Sequence, residues 1–398
     1  MIGDRVRVLH MIQNLNYGGM ERVLSDIAFR CDHERFDTHV LCLEYLGRFS
    51  KGLEAVATLH VAAPMSRASM LWPRSLAKQI RAIDPDVVHS HTGVWYKATL
   101  AARLAGVPRV VHTEHGRPNP DRLKGRLIDR LGAARCDVVV AVSAPLALHL
   151  SRALAIPRRK LVVIPNGVDT QTYQPAPDTG RLRAELGLPA QTPVIGSIGR
   201  LEPIKAYDVM VEAFATLRAR GKCDAVLVIA GEGSERPRLE RLVRERKLER
   251  WVFLPGWRDD VHDMHSAFSL FTMSSTSEGT SISLLEAMSA GLAPAVTNVG
   301  GNADVLGDEL RDCLVPSGEP EALAVAWEDT LLNPERAREH RAAARRRVVE
   351  SFGLESMVRG YEDVYLRASR EREISAQDRG VRGVPPSPRN SAEWPPVM

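Results

Sequence analysis

The sequence is short of cysteine, of aromatic residues, of long apolar runs and of any charge surplus, and each shortage excludes something. Its five cysteines, Cys31, Cys42, Cys136, Cys223 and Cys313, lie far apart. No two sit at a two-residue spacing, and none has histidines placed as in a zinc site, so a disulfide framework and a zinc ribbon are set aside. Reduced thiols and a cytoplasmic location are the expectation. Val138–Val142 is typical of the longest apolar runs, which are strand-sized, whereas a bilayer span needs roughly 18 such residues. The opening residues lack the apolar stretch of a signal peptide and read as a first strand. Lys and Arg exceed Asp and Glu by only 53 to 49, too little for a general nucleic-acid binder. Any basic function is therefore local.

What is present fits an ordinary globular chain, 44% hydrophobic and 26% charged over 398 residues. At about 150 residues per domain, that length suggests two or three domains. Short β-branched runs alternate with helical patterns, the signature of parallel α/β architecture. In the first half the runs are 6–11, 38–43, 87–90, 109–113, 138–142 and 161–164. In the second they are 194–198, 225–230, 252–254, 270–273, 293–296 and 313–315. The expectation is two Rossmann-like, doubly wound domains facing a central cleft, with the join near Ile164-Pro-Asn-Gly-Val-Asp169. The first domain takes residues 1–165 and regains a C-terminal helix over 354–370, and the second takes 166–353. Residues 374–398 carry several prolines and glycines and no period, and read as a disordered tail.

The most informative stretch is Ser274–Gly291, a strand end, a small polar loop and a helix. The N–H groups of Gly279, Thr280 and Ser281 would stand at a helix start, where phosphate binds. Glu278 precedes the helix and Glu286 lies inside it, so carboxylates that accept from sugar hydroxyls sit beside amides that donate to phosphate. The plain alternative makes Glu278 a helix-start charge and Glu286 half of a surface ion pair. Leu284, Leu285, Ala287 and Met288 around Glu286 weigh against that, because an unpaired carboxylate among apolar neighbours is costly.

After the strand at 194–198, Arg200 offers a planar fork and Lys205 a compact charge, a pair suited to a departing diphosphate or, more plainly, two solvated charges. Gly231-Glu-Gly233 is weak evidence for a ligand loop. Gly18 and Gly19 allow close approach of a phosphate or sugar, yet the third glycine of a dinucleotide fingerprint is absent, which disfavours a dehydrogenase. His89, His91, His112 and His115 fall at strand ends. A metal is not expected there, since no acidic or thiol partner is suitably spaced and the ligands would alternate in facing. His115 as a hydrogen-bond donor is the reading adopted.

Taken in order, Gly18-Gly19, His89-Ser-His91, His112–His115, Ile164–Asp169, Gly199–Lys205, Gly231–Gly233 and the Glu278-to-Glu286 spacing resemble the retaining glycosyltransferases of family 4, which have the GT-B fold. The likeness covers roughly 5–370. It implies a nucleotide-sugar donor in the second domain, a glycan or lipid-linked acceptor on the first, transfer between them and no metal or other cofactor. By position, Arg200 and Lys205 would hold the diphosphate and Glu286 the ribose. Glu278 would hold the transferred sugar, Gly18 and Gly19 would lie beside the phosphates, and His115 beside the reacting sugar. Retention would have the leaving phosphate take the acceptor's proton on the same face, so Glu278 is not a glycosidase-type nucleophile. The glycine usual after the lysine is Ala206 here. Surface polysaccharide or glycolipid synthesis is the pathway implied by analogy, and a sugar-nucleotide epimerase or a non-catalytic binding protein are the competing readings.

Residues 117–135 hold Arg117, Arg122, Lys124, Arg126, Arg130 and Arg135 against Asp121 and Asp129, a local charge of +4. Leu123, Leu127, Ile128 and Leu131 recur at helical spacing. Two expectations follow: an interfacial helix on an anionic membrane inner face, or an ordinary helix with its leucines in the core.

Overall fold

The computed structural model describes residues 5–16, 18–64, 72–117 and 123–381. Two parallel sheets carry the fold. In the first, β1 (Val6–Asn14), β2 (Phe36–Tyr45), β3 (Thr58–Val61), β4 (Val87–His91), β5 (Arg109–Glu114), β6 (Val138–Ala141) and β7 (Leu161–Val163) stand in the order β3-β2-β1-β4-β5-β6-β7. In the second, β8 (Val194–Ile198), β9 (Val226–Ala230), β10 (Val252–Gly256), β11 (Leu270–Met273), β12 (Pro294–Thr297) and β13 (Leu314–Val315) stand in the order β10-β9-β8-β11-β12-β13. Every residue of β4 and of β9 is buried, because helices cover both faces of a parallel sheet; β9 is accordingly a continuous apolar run, whereas β4 buries His89, Ser90 and His91 after its two valines. The order reverses between β1 and β4 and again between β8 and β11. Loops leaving the carboxyl ends of the strands splay apart at such reversals and leave a crevice.

The strand Thr58–Val61 escapes sequence reading. It is four residues long and partly exposed, pairing Thr58 to Val61 with His39 to Cys42 at the sheet edge. An edge strand keeps too few buried positions to show a period.

The chain crosses between the sheets twice, and the crossings touch. Val168 donates its N–H to the Phe352 carbonyl at 2.9 Å and accepts from Leu354 N–H at 3.1 Å. A Cβ on Gly167 would meet the Leu354 Cα at 2.9 Å, so the close approach of the two segments requires glycine there. After the second crossing the helix Leu354–Val381 lies on the first sheet, where Leu354, Met357, Val358, Tyr361 and Tyr365 pack with Val8, Val87, Val111 and Val140. That helix runs beyond 370 to Val381, eight residues into the segment read as a disordered tail. Glu371-Arg-Glu-Ile-Ser-Ala-Gln contains neither Pro nor Gly and consists largely of good helix formers, so propensity carries the helix on until the glycines and prolines gather. The rest of that segment, 382–398, lies outside the described residues.

Candidate active site

Two loops at the reversal of the second sheet are stitched to one another. Thr276 N–H donates to the Ile204 carbonyl at 2.8 Å, and the Ser274 hydroxyl donates to the Lys205 carbonyl at 2.9 Å. The stitching brings Lys205 Nζ to 2.6 Å from Glu278 Oε1, which also accepts from the Ser275 hydroxyl at 2.6 Å. The side chains of Lys205 and Glu278 are only 18% and 9% exposed, so the pair is screened little. Ala206, next to Lys205, has φ +47. The glycine usual at this position is therefore a matter of left-handed backbone and not of size, and alanine there costs on the order of 1 kcal/mol.

The loop 277–281 also meets the first domain. The Ser277 hydroxyl donates to the Arg117 carbonyl at 2.9 Å and the Thr280 hydroxyl to the Val142 carbonyl, while Asn166 Nδ2, from the join between the domains, donates to the Thr280 carbonyl at 2.7 Å. A Cβ on Gly279 would stand 2.2 Å from the His115 carbonyl oxygen, which only glycine permits. The side chains of Thr280 and Ser281 are thereby committed. Thr280 ties the domains, and Ser281 caps the helix Ile282–Ser289 by accepting from Leu284 N–H at 3.4 Å. Among the described residues, no backbone carbonyl accepts from the N–H of Gly279, Thr280 or Ser281.

Glu286 is buried within that helix, as its apolar neighbours implied. Burial pushes its carboxyl up to about 7, against the pull of the Arg22 guanidinium and a hydrogen bond from the Tyr173 hydroxyl. Arg22, paired with Asp26 at 3.1 Å, comes from the other domain on the helix Gly19–Arg30. Arg200 is exposed, and its charge acts on Glu21 of that same helix. Gly18 is extended and leads into this helix, and a Cβ on Gly19 would lie 3.4 Å from Ile282 Cδ1 across the cleft. Gly18, Gly19, Arg200, Lys205, Glu278, Gly279, Thr280, Ser281 and His115 stand on facing loops and helix starts, and Glu286 lies a turn further inside the helix Ile282–Ser289.

The histidines divide between sheet faces. His89 and His91, two residues apart, point to the same face, contrary to the alternation expected, because side chains alternate with a period of two. His112 is on the other side, stacked on Trp95 at 3.8 Å with Nδ1 2.9 Å from the Ser90 hydroxyl. His10 of β1 completes the first group. Its Nδ1 lies 3.2 Å from His91 Nε2, and His91 Nδ1 lies 3.0 Å from His115 Nε2. Both nitrogens of His89 are 2.7 Å from hydroxyls, those of Tyr365 and Thr113. Ligand atoms of His10, His89 and His91 converge within 4.8 Å of one another, and hydrogen bonds engage His10 Nδ1, both nitrogens of His89 and both nitrogens of His91. A second convergence was invisible in the cysteine spacing: the fold brings His340 Nδ1 to 3.3 Å from Cys313 Sγ and His340 Nε2 to 3.2 Å from Asp312. Asp312 also pairs with Arg336, and burial pushes the Cys313 thiol up to about 12, which keeps it protonated.

Sequence reading missed His10, Tyr173, Ser275 and Arg22. Ser275 carried a signal, lying three residues before Glu278. His10 and Tyr173 carried none, since each reaches its partner only through the fold.

The chain is similar in sequence and in fold to known proteins. The family described as glycosyl transferases group 1 matches residues 178–347, and glycosyltransferase family 4 matches residues 17–172. A UDP-Gal:alpha-D-GlcNAc-diphosphoundecaprenol alpha-1,3-galactosyltransferase of Escherichia coli is 28% identical over 91% of this chain and 97% of its own length. The alpha-maltose-1-phosphate synthase of Mycolicibacterium smegmatis is 30% identical over 71% of this chain and 79% of its own. Among solved structures, Anabaena HepE in complex with UDP-glucose matches with a TM-score of 0.79 at 22% identity, covering 90% of this chain and 99% of that one.

Proposed function

Because this chain belongs to the glycosyl transferases of group 1 and family 4, we propose that it moves a sugar from a nucleoside diphosphate to a lipid-linked acceptor with retention of configuration and without a metal ion. The donor lies in the second domain (residues 166–353) and the acceptor on the first (1–165 with the returning helix). The observation that carries this reading is the Lys205–Glu278 pair, set at a sheet reversal and facing the His115 loop across the cleft. Lys205 and Arg200, with the amides at 279–281, meet the charge that develops on the leaving diphosphate. Glu278 orders the hydroxyls of the transferred sugar and Glu286 those of the ribose, while His115 faces the reacting sugar and Gly18 and Gly19 leave room for phosphate. The Escherichia coli relative, matched along nearly its whole length, acts on a diphosphoundecaprenol lipid, which supports the lipid-linked acceptor.

Radiolabelled sugar is expected to leave its nucleotide and appear on an undecaprenyl-diphosphate glycan at an undiminished rate in EDTA, with UDP-, GDP- and ADP-sugars screened by thermal shift to choose the donor. A ligand at 100 times its dissociation constant adds about 2.7 kcal/mol of stability. Loss of activity in EDTA and its return with manganese would sink the metal-free mechanism. Label that stays on the nucleotide with altered stereochemistry would identify an epimerase instead.

The lipid-linked acceptor also gives a use to the helix Leu123–Arg135. Leu123, Leu127, Ile128 and Leu131 are 78%, 63%, 50% and 44% exposed, so this row faces outward and not into the core. Among the described residues no helix is long and apolar enough to cross a membrane, but an apolar row among basic side chains suits an anionic lipid surface. Each basic residue adds about 1 kcal/mol near such a surface. Co-sedimentation with phosphatidylglycerol vesicles at low salt is expected, and it should weaken in 1 M salt and in a variant with Arg126, Arg130, Leu127 and Ile128 changed to Ser. Equal pelleting of the variant would refute the contact.

A further inference from the structure

The three imidazoles His10, His91 and His115 form one hydrogen-bonded row, with N···N distances of 3.2 and 3.0 Å. A neutral imidazole has one N–H and one lone pair, so every member of such a row must point its proton the same way. Burial lowers His10 to about 3 and His115 to about 4, and burial with neighbouring histidines lowers His91 as well, so the row is neutral throughout the physiological range. The tautomer of one ring is then tied to that of the next. His115 spends Nε2 on His91, and its Nδ1 is buried with no partner among the described residues. An unpaired buried nitrogen of this kind is costly unless a ligand completes it.

The main chain of His115 is also held. The backbone N–H of His115 donates to the Thr92 hydroxyl at 2.9 Å, and its backbone carbonyl lies against Gly279 of the donor-side loop. His89 anchors the neighbouring position through Tyr365 and Thr113, and Tyr365 sets its edge against His10. The returning C-terminal helix therefore closes the far end of the row.

We propose that His91, backed by His10, is a positioning residue for sugar transfer: it fixes the tautomer and ring plane of His115, so that His115 Nδ1 meets a hydroxyl of the transferred sugar in one defined hydrogen-bonding sense. This rests on the glycosyltransferase reading for its consequence, but not for its geometry. His91 touches no substrate, and its influence passes entirely through His115. The remote histidine His10, on a different strand, bears on the same proton.

The test exploits the different reach of two amides. In His91→Asn the amide stands near the position of Nδ1 and can still meet His115; in His91→Gln it stands near Nε2, meets His10 and leaves His115 without a partner. His91→Gln is expected to lower kcat at least about tenfold, by analogy with loss of a partner that orients a catalytic imidazole, with the donor KM within about twofold. His91→Asn is expected to recover most of that loss. Equal activity of the two amides, or losses that follow melting temperature alone, would overturn the proposal. A readout free of activity is the 15N spectrum of histidine-labelled protein, with His115 assigned through His115→Phe. Wild type should show one neutral tautomer at His115 and His91→Gln a mixture, and a mixture in wild type would also overturn it. If wild type transfers no sugar at all, the functional reading fails while the tautomer spectrum still decides the row.

Discussion

Glu286→Gln is expected to make the protein more stable at pH 8 while lowering sugar transfer by about tenfold to a hundredfold. The native carboxyl is raised from 4.5 to about 7 by burial, so its charged form is disfavoured in the folded state relative to the unfolded one. The penalty is absent below the unfolded value, grows as pH rises from 4.5 towards 7, and is complete above the folded value. At 1.36 kcal/mol per unit it amounts to about 3 kcal/mol, net of the attraction of the Arg22 guanidinium. Glutamine carries no charge and escapes it. The melting-temperature gap between variant and wild type should therefore be small at pH 5 and open by pH 8. A gap that does not change with pH would show that Glu286 is not raised.

The cost to function comes from the same group. As a carboxylate, Glu286 accepts from ribose hydroxyls, and a hydrogen bond to a charged acceptor contributes about 1.5–3 kcal/mol, which at the upper end is a hundredfold. Protonation below pH 7 removes that acceptor, so the donor KM of wild type should rise as pH falls through 7. The KM of Glu286→Gln should be high and flat. Near-normal turnover in the variant, with the fold checked by circular dichroism, would remove Glu286 from the site.

The parts of this molecule legible in its sequence are those that repeat a local rule. Buried parallel strands such as Val226–Ala230 announce themselves as apolar runs, and the reversals that make the cleft follow from two domains of the same type. Glu278 and Glu286 stood out because polar and charged residues interrupt an apolar helix and its entry loop. Contacts that join distant strands left no trace: His10 reaches His91 across 81 residues, and Tyr365 reaches His89 across 276. The solvent-facing row of Leu127 and Ile128 was undecidable for a different reason. Helical spacing shows that one face is apolar, and only packing shows whether anything covers it.

Lys205→Ala is expected to lower kcat/KM by at least about a hundredfold through two effects on one bond. The first is loss of a preorganised cation where the diphosphate acquires charge, for which removal of a single oxyanion donor costs about 2.7–4 kcal/mol. The second falls on Glu278. With Lys205 gone, its carboxylate, 9% exposed, keeps the Ser275 hydroxyl at 2.6 Å as its remaining partner and stands as an uncompensated negative charge in a site meant for a dianion. Repulsion then adds to lost attraction, so affinity for the nucleoside diphosphate should fall along with turnover. The two effects separate in a double-mutant cycle, since residues in direct contact are not additive. Glu278→Gln made on top of Lys205→Ala should cost less than Glu278→Gln made in wild type, because the carboxylate it removes is by then partly a liability. Strictly additive losses would mean that the pair seen at 2.6 Å is broken when the donor binds. Turnover close to wild type in Lys205→Ala would take Lys205 out of the diphosphate clamp altogether.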